Sequence, residues 1–432
     1  MESVWMNAQK VPTFEPLKSS IKTDVLVVGG GICGLLCAHM LRQAGVDCVV
    51  AEADRICGGI TKNTTAKITA QHGAIYDKML CRFGLERTKL YYESQQAAVE
   101  QYRRICKTID CDFDEKDSYV YSLHNRRKME KEADALHRIG CNAEFVEHVT
   151  LPFSVAGAVR MAGQAQFHPL RFLCAIAEHL PIYENTRVLE IVPDGAVTAC
   201  GKIKAEHIIV ATHFPFINKH GFYFIKMYQD RSYVIGVQNG ADVGGMYVDE
   251  AAKGMSFRNY KDFLLIGGGG HRTGKKGGNW AELFAFARKY YPHSEPIYRW
   301  ATQDCMTLDD IPYIGQYSQR TQNLYVATGF NKWGMSSAMT AAMLLRDLVM
   351  GRKNPYAEVY SPSRSILRPQ LAANVWESFI GILTPTAPRC PHLGCALKYN
   401  KQEHSWDCSC HGSRFTEEGK LIDNPATGDK KL

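Results

Sequence analysis

The stretch DVLVVGGGICGLL, residues 24–36, runs from an apolar segment through a glycine turn into the start of a helical pattern. It contains the spacing G-x-G-x-x-G at Gly29, Gly31 and Gly34. In such a turn the first glycine permits the tight bend, the second lets the backbone approach a pyrophosphate, and the third lets helix and strand pack closely. The N-terminus of the helix then points its N–H groups at the phosphate charge. The stretch therefore predicts a dinucleotide-binding βαβ unit near the start of the chain.

An acidic residue follows at the position that this unit requires. The next apolar segment, DCVVAE, ends at Glu52, 18 residues after Gly34. A carboxylate there accepts a hydrogen bond from a ribose hydroxyl and repels a 2′-phosphate, which argues against NADP. FAD is favoured over NAD because glycines and hydroxyl residues that could wrap a second phosphate and a flavin edge come directly afterwards. These residues are Gly58, Gly59, Thr61, Thr64 and Thr65.

Two later segments extend the pattern. HIIVATHFP (207–215) is typical of a buried strand, and NLYVATGFNKWGMSSAM (323–339) of a strand, a turn and a helix. In the second segment Gly329, Trp333, Gly334 and Met335 would bring backbone N–H groups and a helix N-terminus towards the flavin. A positive pole at that edge stabilises a reduced, anionic flavin.

Together with VVGGGICGLLCAHML and Glu52, these segments resemble the flavoproteins of the D-amino-acid-oxidase type over residues 20–350. The resemblance implies an α/β fold in which a Rossmann-like FAD-binding lobe is interleaved with an antiparallel-sheet substrate lobe. It also implies an enzyme that oxidises the C–N bond of a small amine or amino acid by hydride transfer to FAD. It places a backbone contact to adenine at Val188. The spacing around Cys305 does not match family members that tether FAD through a cysteine, so we expect non-covalent FAD.

No sequence motif identifies the catalytic residues. The candidates are His271 and Arg272 in GGGGHRTG, Lys67 in TTAKITA, Lys332 and His72. Each is a single side chain of a type that more often has a structural role. Hydride transfer from an amine depends on orientation more than on a strong base, so the missing pattern does not argue against an enzyme.

Near the end of the chain, CPHLGC (390–395) and WDCSCHGSRF (406–415) concentrate four cysteines and two histidines. Cys390-x-His392 is separated by fifteen residues from Cys408-x-x-His411. Each half supplies one thiolate and one imidazole, which fits a Rieske [2Fe–2S] centre with two histidines on one iron. The alternative is a zinc site built from four cysteines. Its ligands would be Cys390, Cys395, Cys408 and Cys410.

The two motifs resemble the Rieske proteins of respiratory cytochrome bc-type complexes. The resemblance implies that Cys390, His392, Cys408 and His411 hold the cluster. It also implies a disulfide between Cys395 and Cys410. The chain departs from these proteins in two ways. Phe415 replaces a common tyrosine that hydrogen-bonds a cluster thiolate, and this loss should lower the reduction potential of the cluster. The unit also consists of only about fifty residues. We therefore expect a truncated Rieske domain that packs against the flavoprotein.

Composition and segment boundaries complete the prediction. We expect an extended N-terminal arm (1–20), an FAD-dependent oxidoreductase (21–352), a connector (353–382) and the truncated Rieske domain (383–432). The charge of +7 on 432 residues is spread along the chain, with no basic run interleaved with aromatics as a nucleic-acid groove requires. No apolar stretch reaches membrane-spanning length. Fifteen cysteines without a secretory start favour the cytoplasm.

The whole chain resembles bacterial fusions of an amino-acid-oxidase-like flavoprotein with a Rieske domain. We expect a small-molecule substrate, with electrons passing between FAD and the [2Fe–2S] centre, and a protein electron carrier is a candidate partner. Three alternatives remain open. The protein could be an oxidase that reduces O₂ and carries a vestigial tail, a reductase fed by a ferredoxin-like partner, or a non-enzymatic electron-transfer or redox-sensor module.

Overall fold

The computed structural model describes residues 2–218, 220–385 and 388–430, and it contains three β-sheets. The helices, in chain order, are α1 Val4–Ala8, α2 Ile32–Gln43, α3 Tyr76–Ile105, α4 Arg126–Arg138, α5 Pro169–Ala177, α6 Tyr223–Lys226, α7 Trp280–Tyr290, α8 Gly334–Val349, α9 Ala357–Tyr360 and α10 Pro369–Leu383. The strands are β1 Ile21–Val28, β2 Cys48–Ala51, β3 Lys67–Ile68, β4 Asp114–Ser122, β5 Ala143–Val146, β6 Gly157–Gln166, β7 Ile182–Tyr183, β8 Val188–Val192, β9 Gly195–Thr198, β10 Gly201–Val210, β11 Met227–Gln238, β12 Met246–Asp249, β13 Ser256–Tyr260, β14 Phe263–Arg272, β15 Glu295–Thr307, β16 Tyr313–Gln316, β17 Leu324–Thr328, β18 Leu397–Asn400, β19 Ser405–Cys408, β20 Arg414–Thr416 and β21 Leu421–Asp423.

The first sheet is the dinucleotide-binding lobe. Its strands lie in the order β16-β17-β10-β1-β2-β7, with the β8–β9 hairpin joined to β10. The pairs β17–β10, β10–β1, β1–β2 and β2–β7 are parallel. Residues 25–28 of β1 are all buried because parallel strands are covered on both faces. The core cluster that joins α2 and α8 to this sheet covers one of those faces.

The second sheet is the substrate lobe, and the chain enters it between strands of the first. Its order is β15-β11-β14-β13-β12-β4-β6-β3, with β5 beside β6. Its pairs are antiparallel except β12–β4. A Rossmann-like lobe interleaved with a largely antiparallel lobe confirms the predicted α/β fold class.

The sequence predicted an extended N-terminal arm, but part of this arm is helical. Residues 4–8 form α1, and Trp5 is fully buried. Its indole packs edge-on against His168 and Tyr260, and its N–H donates to the carbonyl of Thr64 at 2.8 Å. Burying this large aromatic surface outweighs the short length of the helix.

The third sheet, β18-β19-β20-β21, is antiparallel and has a small core of its own. That core consists of Cys390, Cys395, Leu397, Cys408, Cys410, Phe415 and Ala426. Before it, the described residues between 361 and 389 contain α10 and no strand. The small unit therefore packs directly on the substrate lobe, as the contacts below show. Within the described residues, no helix combines the length and the apolar character that crossing a membrane requires.

Candidate functional site

A cavity of about 1160 Å³ opens at the carboxyl ends of the parallel strands and extends over the substrate sheet. It is larger than a pocket for one drug-sized ligand requires. Most of the predicted cofactor-binding residues line it. They are Gly29, Gly31, Glu52, Gly59, Thr61, Thr65, Val188, Gly329, Trp333, Gly334 and Met335, and Gly58 and Thr64 lie with them.

The glycine turn has the geometry of a phosphate cradle. Gly29 has φ +110°, and a Cβ there would lie 2.7 Å from the carbonyl oxygen of Ala211. A Cβ on Gly34 would overlap the carbonyl oxygen of Gly29, so Gly34 lies behind the cavity and permits close packing of helix and strand. A Cβ on Gly31 would lie 3.3 Å from the hydroxyl of Thr61, and both residues line the cavity. The turn therefore fits a bound pyrophosphate.

Glu52 lies at the mouth of this turn. Its carboxylate accepts the N–H of Gly30 at 2.6 Å and the N–H of Asp54 at 2.9 Å. Burial raises the pKa of Glu52, and the backbone N–H groups oppose that rise. The side chain is thus held beside the cavity, where it can accept a ribose hydroxyl.

On the opposite wall, the turn before α8 is fixed by Asn331. Its side chain accepts the N–H of Thr307 at 2.8 Å and donates to the carbonyl of Gly329 at 2.8 Å. Gly329 has φ +70°. These contacts direct the first turn of α8, from Gly334, towards the cavity. No sequence pattern marks Asn331 as a site residue.

Three of the five catalytic candidates line the cavity. Lys67 is nine-tenths buried, and burial together with the charge of Arg258 lowers its pKa to about 7. His72 is buried, which lowers its pKa to about 3, and it hydrogen-bonds Tyr91 at 2.6 Å. Lys332 pairs with Asp230 at 2.8 Å. Of the three, only Lys67 combines burial, access to the cavity and a pKa near neutrality.

The other two candidates, His271 and Arg272, are not among the residues that line the cavity. The His271 ring stacks on Tyr233 with centroids 5.8 Å apart. Arg272 donates to the carbonyls of Ser409 and Cys410, each at 3.0 Å. The glycine-rich strand carries Arg272 to the C-terminal unit, so its guanidinium holds the second cysteine–histidine loop.

That second loop and the first bring the four predicted metal ligands together. The thiols of Cys390 and Cys408 are buried and share a hydrogen bond. The rings of His392 and His411 lie edge to face, with centroids 4.9 Å apart at 87°. The Nδ1 atoms of both are buried and have no hydrogen-bond partner among the described residues. A pair of buried thiols and a pair of imidazoles with unpartnered nitrogens are the donors that a [2Fe–2S] cluster of this type needs.

The ionisation of these donors also fits a metal. Burial lowers the pKa of His392 to about 4 and that of His411 to about 3, so both imidazoles are neutral at pH 7. The hydrogen bond from Cys408 lowers the pKa of Cys390 to about 7, whereas the pKa of Cys408 is raised. Neutral imidazole and a readily ionised thiol are the forms that bind metal.

Cys395 and Cys410 form a disulfide across the two loops, with Cα atoms 6.6 Å apart. The sulfur of Cys408 lies within 4.8 Å of both bridged sulfurs. A bridged sulfur is not a thiolate, so this group of three sulfurs cannot supply the four-cysteine zinc site. The geometry thus disfavours the zinc alternative.

The C-terminal unit packs on the substrate sheet through polar side chains of β11 and β15. The side-chain amide of Gln229 donates to the carbonyl of His411 at 2.8 Å and to that of Asn424 at 2.7 Å. Gln303 donates to the carbonyl of Gly412 at 2.9 Å. Asn424 in turn donates to the carbonyl of Thr212 at 2.6 Å, beside the cavity.

A buried ion network fixes the same interface. Arg231 pairs with Glu403, and Arg414 contacts Glu403 at 2.9 Å, Asp407 at 3.0 Å and Asp423 at 3.0 Å. Burial alone would raise the pKa of Glu403, but the two guanidinium groups hold it at about 2.

Strands β11 and β15 are therefore a wall shared by two sites. Tyr228, Asp230 and Ser232 line the cavity, while the alternating Gln229 and Arg231 hold the C-terminal unit. On β15, Thr302, Asp304 and Met306 line the cavity, and Gln303 holds Gly412. Alternate side chains of a strand point to opposite faces, which produces this division. The alternation of polar residues in YQDRSY was the signal in the sequence, but it does not identify the partner.

The fold and both sites define a class of protein. The sequence model of the FAD dependent oxidoreductase family (DAO) matches residues 24–348, and the chain belongs to this family. The model of the Rieske [2Fe-2S] domain matches residues 371–431. The protein is thus an FAD-dependent oxidoreductase with a C-terminal Rieske domain and binds FAD and a [2Fe–2S] cluster, which confirms the resemblances and the cofactors expected from sequence.

Individual relatives agree with this assignment. The chain is 33% identical to a protein described as putative Rieske 2Fe-2S iron-sulfur protein YhfW of Bacillus subtilis (strain 168), over 98% of this chain and 96% of that one. It is 24% identical to gamma-glutamylputrescine oxidoreductase of Escherichia coli (strain K12), over 80% and 88%. L-proline dehydrogenase from P. horikoshii shares the fold with a TM-score of 0.67, at 18% identity, over 79% and 97%.

Proposed function

We propose that the enzyme oxidises the C–N bond of a small amine or amino acid and that electrons pass between FAD and the Rieske centre. The observation that carries the proposal is the shared wall of β11 and β15. Asp230 and Asp304 are register partners on its cavity side, and Gln229 and Gln303 hold the second cysteine–histidine loop on the other. A single sheet layer thus lies between the cavity and that loop, and residues 421–424, 426 and 427 of the C-terminal unit line the cavity directly.

The residues proposed for each cofactor follow from the geometry. Around FAD, the glycine turn would hold the pyrophosphate, Glu52 a ribose hydroxyl, and Val188 the adenine. The N-terminus of α8 would face the flavin. Cys390, His392, Cys408 and His411 would hold the two irons, and the disulfide of Cys395 and Cys410 would brace the loops. FAD supplies two-electron chemistry and the cluster one-electron chemistry.

An amine-type substrate is supported by the chain's own residues and by its relatives. Asp304 on the shared wall is a carboxylate that suits a cationic amine, although burial raises its pKa to about 6, whereas Asp230 already pairs with Lys332. The buried amine of Lys67 can take up a proton from a bound ammonium group because its pKa is near 7. Gamma-glutamylputrescine oxidoreductase, a relative by sequence, is named for an amine substrate.

The test is an anaerobic substrate screen on the holoprotein, read by bleaching of the flavin absorbance. Iron, zinc and flavin are measured on the same sample. The proposal predicts iron with FAD, and bleaching by at least one amine or amino acid. Zinc without iron would contradict the Rieske assignment. Failure of every amine, amino acid and hydroxy acid to bleach the flavin would favour the redox-sensor alternative.

The variant Cys408→Ser separates the remaining alternatives, and Cys200→Ser, an exposed cysteine, is its matched control. Loss of a cluster ligand should leave bleaching by substrate intact but stop electrons from leaving the flavin. If Cys408→Ser consumes O₂ with substrate as fast as the Cys200→Ser control, the vestigial-tail oxidase is the better description.

A further inference from the structure

Helix α10 exposes an apolar face beside the Rieske centre. Trp376 is 60% exposed, Phe379 53% and Leu383 62%. All nine exposed residues of the helix are apolar: Pro369, Ala372, Ala373, Val375, Trp376, Phe379, Ile380, Ile382 and Leu383. A contiguous apolar patch of this kind on a protein surface marks an interaction site. We call these nine residues together with Phe222, which is 57% exposed, the α10 face.

The polar residues of α10 all point away from this face. Asn374 is buried, accepts from Arg272 at 2.9 Å and donates to the carbonyl of Ile225 at 3.2 Å. Glu377 pairs with Lys275 at 2.6 Å. The helix is therefore anchored to the protein by its polar side, and its outer side offers no charged or hydrogen-bonding side chain.

The α10 face lies next to the predicted cluster ligands. The N–H of Ala396 donates to the carbonyl of Gly381 at 2.8 Å, and a Cβ on Gly381 would overlap the sulfur of Cys410. The Phe222 ring is 6.0 Å from Phe224, whose ring is 6.0 Å from that of His411. The apolar surface thus extends from the helix to the edge of the imidazole pair.

We propose that the α10 face docks the enzyme on the surface of a lipid bilayer, with α10 lying in the plane of the interface. A helix with one continuous apolar side carrying Trp, Phe and Leu is the form that binds in this way. The guanidinium of Arg389, beyond the C-terminus of the helix, donates to the carbonyls of Gly381, Ile382, Thr384 and Gly394 and so caps the helix end. The net charge of +7 on the chain favours an anionic bilayer surface.

A second copy of the chain or a protein partner fits this surface less well. A helix of fifteen residues is about 22 Å long and about 10 Å wide, which gives a footprint of about 220 Å². A stable protein interface buries about 800 Å² on each partner. A bilayer requires neither the larger area nor complementary polar groups.

The experiment is co-sedimentation of the holoprotein with phosphatidylcholine vesicles prepared with and without phosphatidylglycerol. We expect binding to both, stronger with the anionic lipid. The double variant Trp376→Ser, Phe379→Ser should lower the vesicle-bound fraction by about tenfold or more. The matched control Ile297→Ser, an apolar residue 49% exposed on β15, should bind like the wild type. Unchanged flavin and cluster absorbance establishes that each variant is folded.

A second measurement does not depend on the folding of the double variant. Trp376 is 60% exposed, so vesicles should shift the tryptophan emission of the wild type to the blue, and Trp376→Phe should remove that shift. Absence of both vesicle binding and the shift would overturn the proposal. So would a dimer that the double variant dissociates while vesicles have no effect, because the α10 face would then be covered by a second copy. Binding that needs phosphatidylglycerol but not Trp376 would overturn it as well.

Discussion

Gln229 and Gln303 form one hydrogen-bonded pair beneath the second cysteine–histidine loop. The amide of Gln303 donates to the side-chain oxygen of Gln229 at 2.7 Å, and the two side chains donate to the carbonyls of His411 and Gly412. Both glutamines are fully or almost fully buried. The pair therefore joins the substrate sheet to the Rieske loop by direct hydrogen bonds.

Replacing Gln229 should weaken this link. The variant Gln229→Leu leaves the carbonyls of His411 and Asn424 without their donor, at a cost of about 1–3 kcal/mol for each buried group. We expect stopped-flow absorbance to show electron transfer from flavin to cluster slowed by about tenfold, with flavin reduction by substrate unchanged. Gln316→Leu, at an exposed position, is the control. Equal slowing of both steps would mean that the variant disturbs the cavity instead.

Removing one partner of the Arg231–Glu403 ion pair should destabilise the protein mainly because the charge of the other partner stays buried. Both side chains are less than one-tenth exposed. Arg231→Met should lower the free energy of unfolding by about 3–5 kcal/mol, because Glu403 stays buried with one guanidinium fewer. Adding Glu403→Leu should recover much of that loss. Chemical denaturation of the two single variants and the double variant measures the coupling, and additive losses would show that the pair does not interact.

Acid should undock the Rieske unit through Glu403. Its pKa falls from 4.5 to about 2 in the folded protein, so it binds fewer protons folded than unfolded. The stabilisation, about 3 kcal/mol, is fully present above pH 4.5 and is lost as the pH falls through 2. We expect the free energy of unfolding of Glu403→Gln, measured by denaturation across this pH range, to fall less with acid than that of the wild type. An unchanged pH dependence would assign the effect to other carboxylates.

Lys67 should control the rise of activity with pH. Its pKa of about 7 means that the side chain becomes neutral as the pH rises through 7 and can then accept a proton from the substrate. We expect kcat/KM to increase through that pH, and Lys67→Met to remove the increase and to lower kcat/KM by about 10²-fold. Lys261→Met, at an exposed lysine, is the comparison. A pH limb that survives in Lys67→Met would exclude Lys67 as its source.

The sequence was sufficient where the signal is local. The glycine turn spans only Gly29 to Gly34, and each cysteine–histidine motif is only a few residues long. Spacing therefore predicted the dinucleotide unit, and spacing together with the resemblance to Rieske proteins predicted the cluster. Trp5 shows the opposite case, because its helix forms only when the indole reaches His168 and Tyr260. The sequence could not show this contact.

The interface between the two halves could not be predicted for the same reason. Gln229 and His411 are 182 residues apart, and Arg231 and Glu403 are 172 apart. Arg272 appeared to be a catalytic candidate because it follows a glycine run, yet its partners, Ser409 and Cys410, lie more than 130 residues away. Only the fold shows which face of β11 and β14 each side chain occupies.

Passage of electrons between FAD and the Rieske centre across the shared wall can be observed by rapid-freeze EPR after anaerobic mixing of the holoprotein with a bleaching substrate. We expect a reduced-cluster signal that grows as the flavin absorbance reports substrate oxidation, and none in Cys408→Ser. A flavin bleached by substrate beside a cluster that stays oxidised and EPR-silent over the same time would contradict it.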